Sequence, residues 1–501
     1  MPFRACSYYC HKALLRQKSL LVLLLALTTA YLFASPMRDV CASFGMKASI
    51  LPYFVFLGDN YIANGILLTL WVWLIEGVPY RDASEDLVKI RCDHTSHVLG
   101  IFLHIAAMSA LYWAAMLLIS VLVMLPHVEL DLGWGRFYMS LNRGAGDRLV
   151  AMNFIFSKKL QQLMTPAKAL LLSWSLHFLA SVFLGLTVCL INSRARHAGG
   201  GFIALMIIVF DSCFQGLGMP YVVYYFSPVS WVNLNMLDMT KTTPLPSAHM
   251  RLLDWPPCAF CFSACLCRAG RTLYEEEVSD MSLTLKVEGV SKQFGKQEVL
   301  ANVNLEMRSG QIYGLVGRNG SGKTVLMKLL CGLLPPSSGA IWVSGKPVIS
   351  GKKLPCVYGV HFDTAGFIPN LSGKRNLRLL SRLRGVATDR DVELAIENVG
   401  LDPRSRKKVR NYSLGMRQRL SIAQMLMEKP ELILLDEPMN GLDSDAVEHV
   451  RSILLREKEK GALIVVATHI KEDVDRLCDT VYHVANTAVT PMKEPAANPQ
   501  A

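Results

Sequence analysis

Hydrophobic patterning changes character near residue 270 of this 501-residue chain. Before that point, apolar runs near 19–34, 51–75, 98–125, 168–191, 201–226 and 252–267 alternate with short polar loops. Most reach the roughly 20 residues a helix needs to cross a bilayer, so the pattern predicts an α-helical transmembrane domain of about six spans. After residue 280 the apolar runs shrink to strand length, as at Ile312 to Val316, Leu432 to Leu435 and Ala462 to Ala467. Amphipathic stretches at Leu371 to Leu383 and Asp391 to Val399 read as helices inserted between such strands. The expectation is therefore a multidomain chain: a helical membrane domain over 1–270, a polar linker at 271–280, and an α/β domain with a helical subdomain over 281–485. The Pro-, Ala- and Asn-rich residues 486–501 are expected to form a disordered tail.

Charge placement orients the membrane half. Arg4, Lys12, Arg16 and Lys18 precede the first apolar run, which reads as a retained signal-anchor because no small-residue cleavage pattern follows it. Arg81, Lys89 and Arg91, then Arg194 and Arg196, fall on the cytosolic side when six spans are drawn from a cytosolic N-terminus. The loop 126–167, with Arg136, Arg143, Arg148, Lys158 and Lys159, is more basic than an exterior loop should be, so either it has an external role or a flanking run does not cross. Residues 221–237 read as an interfacial or re-entrant piece. Asp59, Asn60, His104, His177 and Asp211 sit inside predicted spans and are candidate substrate contacts or interhelical bonds.

A net charge of +12 and 13 cysteines invite nucleic-acid and metal readings. Neither holds. The basic residues are spread over membrane flanks and the α/β surface, where they suit anionic lipid rather than nucleic acid. Cys258, Cys261, Cys265 and Cys267 lie in an apolar run, where cysteine behaves as a small hydrophobe.

The chemistry is concentrated in the second half. Gly317, Arg318, Asn319, Gly320, Ser321, Gly322, Lys323 and Thr324 follow an apolar strand and precede a helical pattern. Glycines there let the backbone curl so that N–H groups and a helix N-terminus face one anion, with Lys323 reaching terminal phosphates and Thr324 ligating Mg2+. The chain is thus expected to bind a nucleoside triphosphate. Farther on, the strand Leu432 to Leu435 runs into Asp436 and Glu437, placed to hold the metal and to polarise an attacking water.

Between these sites lie Tyr412-Ser413-Leu414-Gly415-Met416-Arg417-Gln418-Arg419-Leu420, followed by Asn440-Gly441-Leu442-Asp443 and Ala467-Thr468-His469. This ordered set resembles the nucleotide-binding domain of the ABC ATPase superfamily, over about Met281 to Val484. The resemblance implies ATP with Mg2+, two ATPs at a dimer interface, Phe294 stacked on adenine, and Ser413 and Gly415 contacting a partner's γ-phosphate. It implies further that Asp443 joins the two halves and that His469 positions the water beside Glu437. Tyr412, Leu414 and Met416 depart from the commonest signature, and Asp363 stands where the family usually has glutamine, as a further metal or water ligand.

With its membrane domain first, the whole is similar to bacterial type-2 exporter half-transporters. That implies ATP-driven export of a small molecule, antimicrobial peptide or lipid-like substrate by a homodimer in the bacterial cell membrane, its ATPase domain cytoplasmic. Two other readings stay open: an immunity or sensing ATPase that does not translocate its ligand, and a weakly active subunit of a heterodimer.

Overall fold

The computed structural model describes residues 1–80, 83–140, 158–194, 199–217, 227, 229–234, 237, 283–362 and 366–493. The chain forms two compact units. One comprises 9–80 and 101–269; the other draws 1–8 and 81–100 together with 270–501. The linker expected at 271–280, the apolar run 252–267 with its four cysteines, and Asp363 lie outside the described residues.

Along the first part run α1 (Pro2–Leu14), α2 (Gln17–Phe44), α3 (Pro52–Asp59), α4 (Tyr61–Ile75), α5 (Ala83–Lys89), α6 (His94–Met124), α7 (Gly135–Ser140), α8 (Lys158–Leu163), α9 (Pro166–Arg194) and α10 (Gly200–Gly216). A short parallel bridge joins β1 (Ala48–Ser49) to β2 (Val128–Glu129). Among the described residues three helices, α2, α6 and α9, are long and apolar enough to cross a membrane. Of the six expected spans, these three are present as single long helices among the described residues, and the run 252–267 lies outside them. The run 51–75 is not one straight helix: α3 and α4 meet at 89° and make a fourth span only if the broken pair counts as one. The cause is local, because Asn60 leaves the helical conformation and its side-chain oxygen accepts from the N–H groups of Ile62 and Ala63, capping α4 afresh. α10, at Gly200–Gly216, is shorter than a typical span.

Several buried polar groups of this unit bond one another. Trp71 and Trp113 donate their indole N–H groups to Ser181, at 3.0 and 2.7 Å, and Tyr112 donates to the Leu67 carbonyl at 2.8 Å. Asp211 accepts from Gln215 at 2.7 Å and from Ser227 and Ser230, while Asp59 accepts from the Leu234 N–H at 2.8 Å. Such closure favours the interhelical reading of these two carboxylates. Leu20, Leu21, Leu23, Leu24, Leu25 and Leu27 of α2 stay exposed, a surface suited to acyl chains.

The second unit holds two sheets. β4 (Gln297–Arg308), β3 (Thr284–Phe294), β6 (Ser338–Val343) and β7 (Lys346–Pro347) form an antiparallel sheet in that order. The other runs β12 (Ala488–Lys493), β11 (Thr480–Ala485), β5 (Ile312–Val316), β10 (Leu463–Ala467), β9 (Leu432–Asp436) and β8 (Tyr358–His361), every pair parallel except β11 with β12. β9 and β10 are buried along their whole length, which is why they read as unbroken apolar runs rather than alternating ones. Around the sheets lie α11 (Lys323–Leu330), α12 (Gly373–Arg384), α13 (Asp389–Asn398), α14 (Leu414–Leu426), α15 (Ser444–Glu459) and α16 (Lys471–Leu477). α12 and α13 form the expected helical insertion, the second opened by a reciprocal Thr388–Asp391 capping box.

One boundary is corrected. The tail expected from Asn486 is a strand as far as Lys493, paired antiparallel to β11. Asn486 and Thr487 both take positive φ, 47° and 65°, the geometry of a tight hairpin turn, and Pro491 is tolerated because β12 is an edge strand.

Within this unit the segment 83–100 is tied in by a buried charge cluster. Glu428, just past α14, accepts from Arg91 at 2.8 Å and from Arg384 at 3.0 Å, and none of the three is exposed by more than 8% at its side chain. Arg384 and Tyr358 also donate to the Ile90 carbonyl, at 3.2 and 3.0 Å. Removing one partner of such a cluster strands a buried charge, at a cost of about 3 kcal/mol or more. Glu428→Ala is therefore expected to lower the apparent melting temperature by roughly 6 °C or more. A thermal melt of the purified protein within a degree of wild type would show that the cluster contributes nothing net.

Candidate functional site

Parallel strands ending at one edge deliver the site. β5 lies between β10 and β11, and β10 between β5 and β9, with Ala467 opposite both Leu315 and Asp436. The residues just beyond each strand end, Gly317, Glu437 and Thr468-His469, therefore converge at the carboxyl edge, where open α/β sheets bind ligands.

The loop 317–324 has the conformation its glycines predict. Gly320 and Gly322 take φ of +82° and +107°, and Gly322 closes onto α11 as its first carbonyl accepts from Leu326 N–H at 2.8 Å. At Gly317 a Cβ would lie 2.3 Å from the Val484 carbonyl oxygen, so no side chain fits there. Lys323 is folded back, donating to the carbonyls of Gly317 at 2.7 Å and Arg318 at 3.2 Å. The Ser321 hydroxyl is buried without a hydrogen-bond partner, an uncommon state that an anion in the loop would relieve. Arg318 and Asn319 lie on the same loop.

Beside the loop, the Thr324 hydroxyl donates to Asp436 at 2.5 Å. Hydroxyl and carboxylate are the hard oxygen donors a small divalent cation takes, and Asp436 is 5% exposed. Among the described residues there is no group of three His, Cys, Asp or Glu side chains that could hold a metal ion. Glu437 accepts from His469 Nδ1 at 2.8 Å through Oε2, while its buried Oε1 has no partner. Its backbone adopts φ of +49°, rare for a non-glycine residue and most often kept where function needs it.

The remaining expected residues are placed as follows. Phe294 is 45% exposed at the end of β3, its ring 5.0 Å from Lys292 Nζ. Ser413 is the N-cap of α14, accepting from Met416 N–H at 3.2 Å, and Gly415 packs against the Gly441 carbonyl. Leu414, the departure from the usual signature, is 63% exposed and leans on Gly441, which has φ of +74°. Asp443 caps α15, accepting from Ala446 at 2.9 Å, a structural task in its own right. Sequence reasoning missed His361 and Gln418. Gln418 stood within the quoted signature stretch, but nothing in the sequence placed it beside the end of β8, where its Nε2 lies 2.9 Å from His361 Nε2.

A central strand that feeds a glycine loop into a helix, with two carboxylates brought beside it by the next strand but one, is the construction of a P-loop nucleotide hydrolase. Residues 300–440 match the family model "ABC transporter". The chain is 40% identical over 195 residues to "Uncharacterized ABC transporter ATP-binding protein YybJ" of Bacillus subtilis, covering 39% of this chain and 89% of that one. It is 39% identical over 203 residues to "Bacitracin transport ATP-binding protein BcrA" of Enterococcus faecalis, covering 40% of this chain and 66% of the relative, just under two thirds of its length. A third relative, "Lantibiotic transport ATP-binding protein SrtF" of Streptococcus pyogenes, is 36% identical over 197 residues, 39% of this chain and 85% of the relative. Among solved structures, "Structure of ATP binding subunit of ABC transporter" shares 27% identity with a TM-score of 0.38, covering 41% of this chain and 87% of that chain. The chain belongs to the ABC transporter ATP-binding family, and its α/β domain is an ABC ATPase.

Lys323 places its ammonium within the loop, on the Gly317 and Arg318 carbonyls. Lys323→Ala is expected to weaken ATP binding at least about tenfold, the loss of one charge-assisted phosphate contact, while leaving the melting temperature within about two degrees. Titration with a fluorescent ATP analogue checks this, and unchanged affinity would count against the loop as the phosphate site.

Proposed function

We propose that this chain is a membrane exporter of amphiphilic antimicrobial peptides or similar lipid-like compounds, working as a homodimer in a bacterial cell membrane with its ATPase domain in the cytoplasm. The observation that carries the ATP-driven part is the Glu437–His469 pair beside the phosphate loop, with one carboxylate oxygen buried and unpartnered. Support for export comes from α2, α6 and α9 together with relatives whose names tie them to bacitracin and lantibiotic transport.

In this reading ATP lies along 317–324, with Phe294 against adenine and Lys323 turned from the loop carbonyls to the terminal phosphates. Thr324 and Asp436 would hold Mg2+, and Asp363 would join them. The metal supplies charge neutralisation at the phosphates. Glu437 orients and deprotonates the attacking water through its free oxygen, and His469 fixes the carboxylate through the other. Ser413 and Gly415, at the N-terminus of α14, face the γ-phosphate held by a second copy, and Asp443 lies at the same interface. The buried Arg91–Glu428–Arg384 cluster ties the segment between two apolar helices to α14, a route by which closure of the dimer reaches the membrane helices.

ATP hydrolysis by the purified protein in lipid vesicles, measured beside Glu437→Gln, tests the motor. Loss of at least about a hundredfold in kcat is expected, the scale for removing a general base. Accumulation of bacitracin- or lantibiotic-type peptides in inverted vesicles then tests export. Peptide-stimulated hydrolysis without accumulation would replace the exporter with a sensing ATPase, and no hydrolysis in either protein would point to a missing partner chain.

A further inference from the structure

His361 ends β8 and is 1% exposed. Its Nδ1 lies 2.7 Å from Ser421 Oγ, and its Nε2 lies 2.9 Å from Gln418 Nε2. The same Gln418 nitrogen lies 3.2 Å from the Glu437 carbonyl oxygen and 3.0 Å from that of Pro438. Two carbonyl acceptors fix the carboxamide, because only its NH2 group can face them. It follows that His361 Nε2 carries the lone pair and that Nδ1–H donates to Ser421, so the imidazole is held in one tautomer by two residues one turn apart on the same face of α14.

The group held in this way clamps the residue that most needs holding. Glu437 sits in the left-handed region, a conformation that persists only where the surroundings over-determine it. Its N–H donates to the Ala467 carbonyl at 2.9 Å, which secures the peptide on one side. Gln418 secures the peptide on the other side, and the next one as well. Among the described residues, the side-chain hydrogen bonds of His361 go to Ser421 and Gln418 and to neither the Glu437 carboxylate nor the phosphate loop.

We propose that His361 is a positioning residue for ATP hydrolysis: it orients the Gln418 carboxamide, which clamps the Glu437–Pro438 turn and so aims the Glu437 carboxylate. The inference rests on Glu437 as the base. An apolar side chain at 361 fills the space but removes the shortest of the three contacts of the Gln418 NH2 group, and the carboxamide, left with the two turn carbonyls alone, is free to shift against the turn. Misalignment of a reacting group by about 1 Å costs on the order of a hundredfold in rate, so a partial loss of the clamp is expected to cost about tenfold or more. Binding of ATP, which the loop 317–324 provides without His361, stays as it was.

The test is steady-state ATP hydrolysis by the full-length protein in vesicles, with nucleotide affinity and thermal melting as companions. His361→Leu is expected to lower kcat at least about tenfold with KM for ATP within about twofold. His361→Gln, whose amide oxygen accepts from Gln418, is expected to recover kcat to within about threefold of wild type. Gln418→Met is expected to match His361→Leu, and the double variant to fall no further, because one acts through the other. Wild-type kcat in His361→Leu, no recovery in His361→Gln, or multiplicative losses in the double variant would each overturn the proposal. If His361→Leu does not fold, an unchanged kcat in Gln418→Met overturns it alone. Glu437→Gln separates the two claims: retained hydrolysis there removes the base, whereas lost hydrolysis there with wild-type kcat in His361→Leu removes only the positioning role.

Discussion

The parallel run β5, β10 and β9 is the constraint on which the rest of the second unit depends. Leu432 through Asp436 and Leu463 through Ala467 are buried without interruption, and in the register the sheet adopts Ala467 stands opposite both Leu315 and Asp436. A slip of one residue would bury a different set of side chains and would also pull Glu437 and His469 apart along the edge. The pairing that buries these strands is thus the pairing that aligns the site. The apolar core fixes where the strands end, and the polar residues need only be the next ones in the chain.

α14 is the second organising element. Its N-terminus is capped by Ser413, the next turn presents Gln418 to the Glu437–Pro438 turn and Ser421 to His361, and just past its end Glu428 takes Arg91 and Arg384. A helix of this length spans about 20 Å as a nearly rigid rod. Groups on its successive turns cannot move independently, so a force at the cap is felt at Gln418 and at Glu428 together. That property makes a single helix a better carrier of coupling than a chain of loops.

How much of this was legible in the sequence depends on the range of the interaction. The phosphate loop, the Asp436-Glu437 strand end and the α12 and α13 insertion are written in adjacent residues, where glycine spacing, apolar runs and caps act locally. The break at Asn60 was hidden because hydropathy averages over a window and does not see a side chain capping two N–H groups. β12 was hidden because the composition of 486–501 reads as tail, whereas Asn486 and Thr487 turn the chain back onto β11 and pairing outweighs composition. His361 and Gln418 are 57 positions apart, and their contact exists only once β8 is placed beside β9.

The Arg91–Glu428–Arg384 cluster shows why such long-range polar contacts are placed where they are. Two guanidinium groups around one buried carboxylate carry a desolvation penalty that apolar residues of the same volume would avoid, so stability alone is a poor reason for them. What they provide that an apolar contact does not is direction. Arg91 donates to Glu428 and to the Leu87 and Gln424 carbonyls from one planar fork, and Arg384 reaches both Glu428 and the Ile90 carbonyl. An apolar contact can slide by an ångström at little cost, whereas this set of hydrogen bonds is lost if Ile90 and Arg91 shift against α14. A contact made from such groups resists sliding, and in this chain it lies just past the end of the same helix whose earlier turn bonds the Glu437–Pro438 turn.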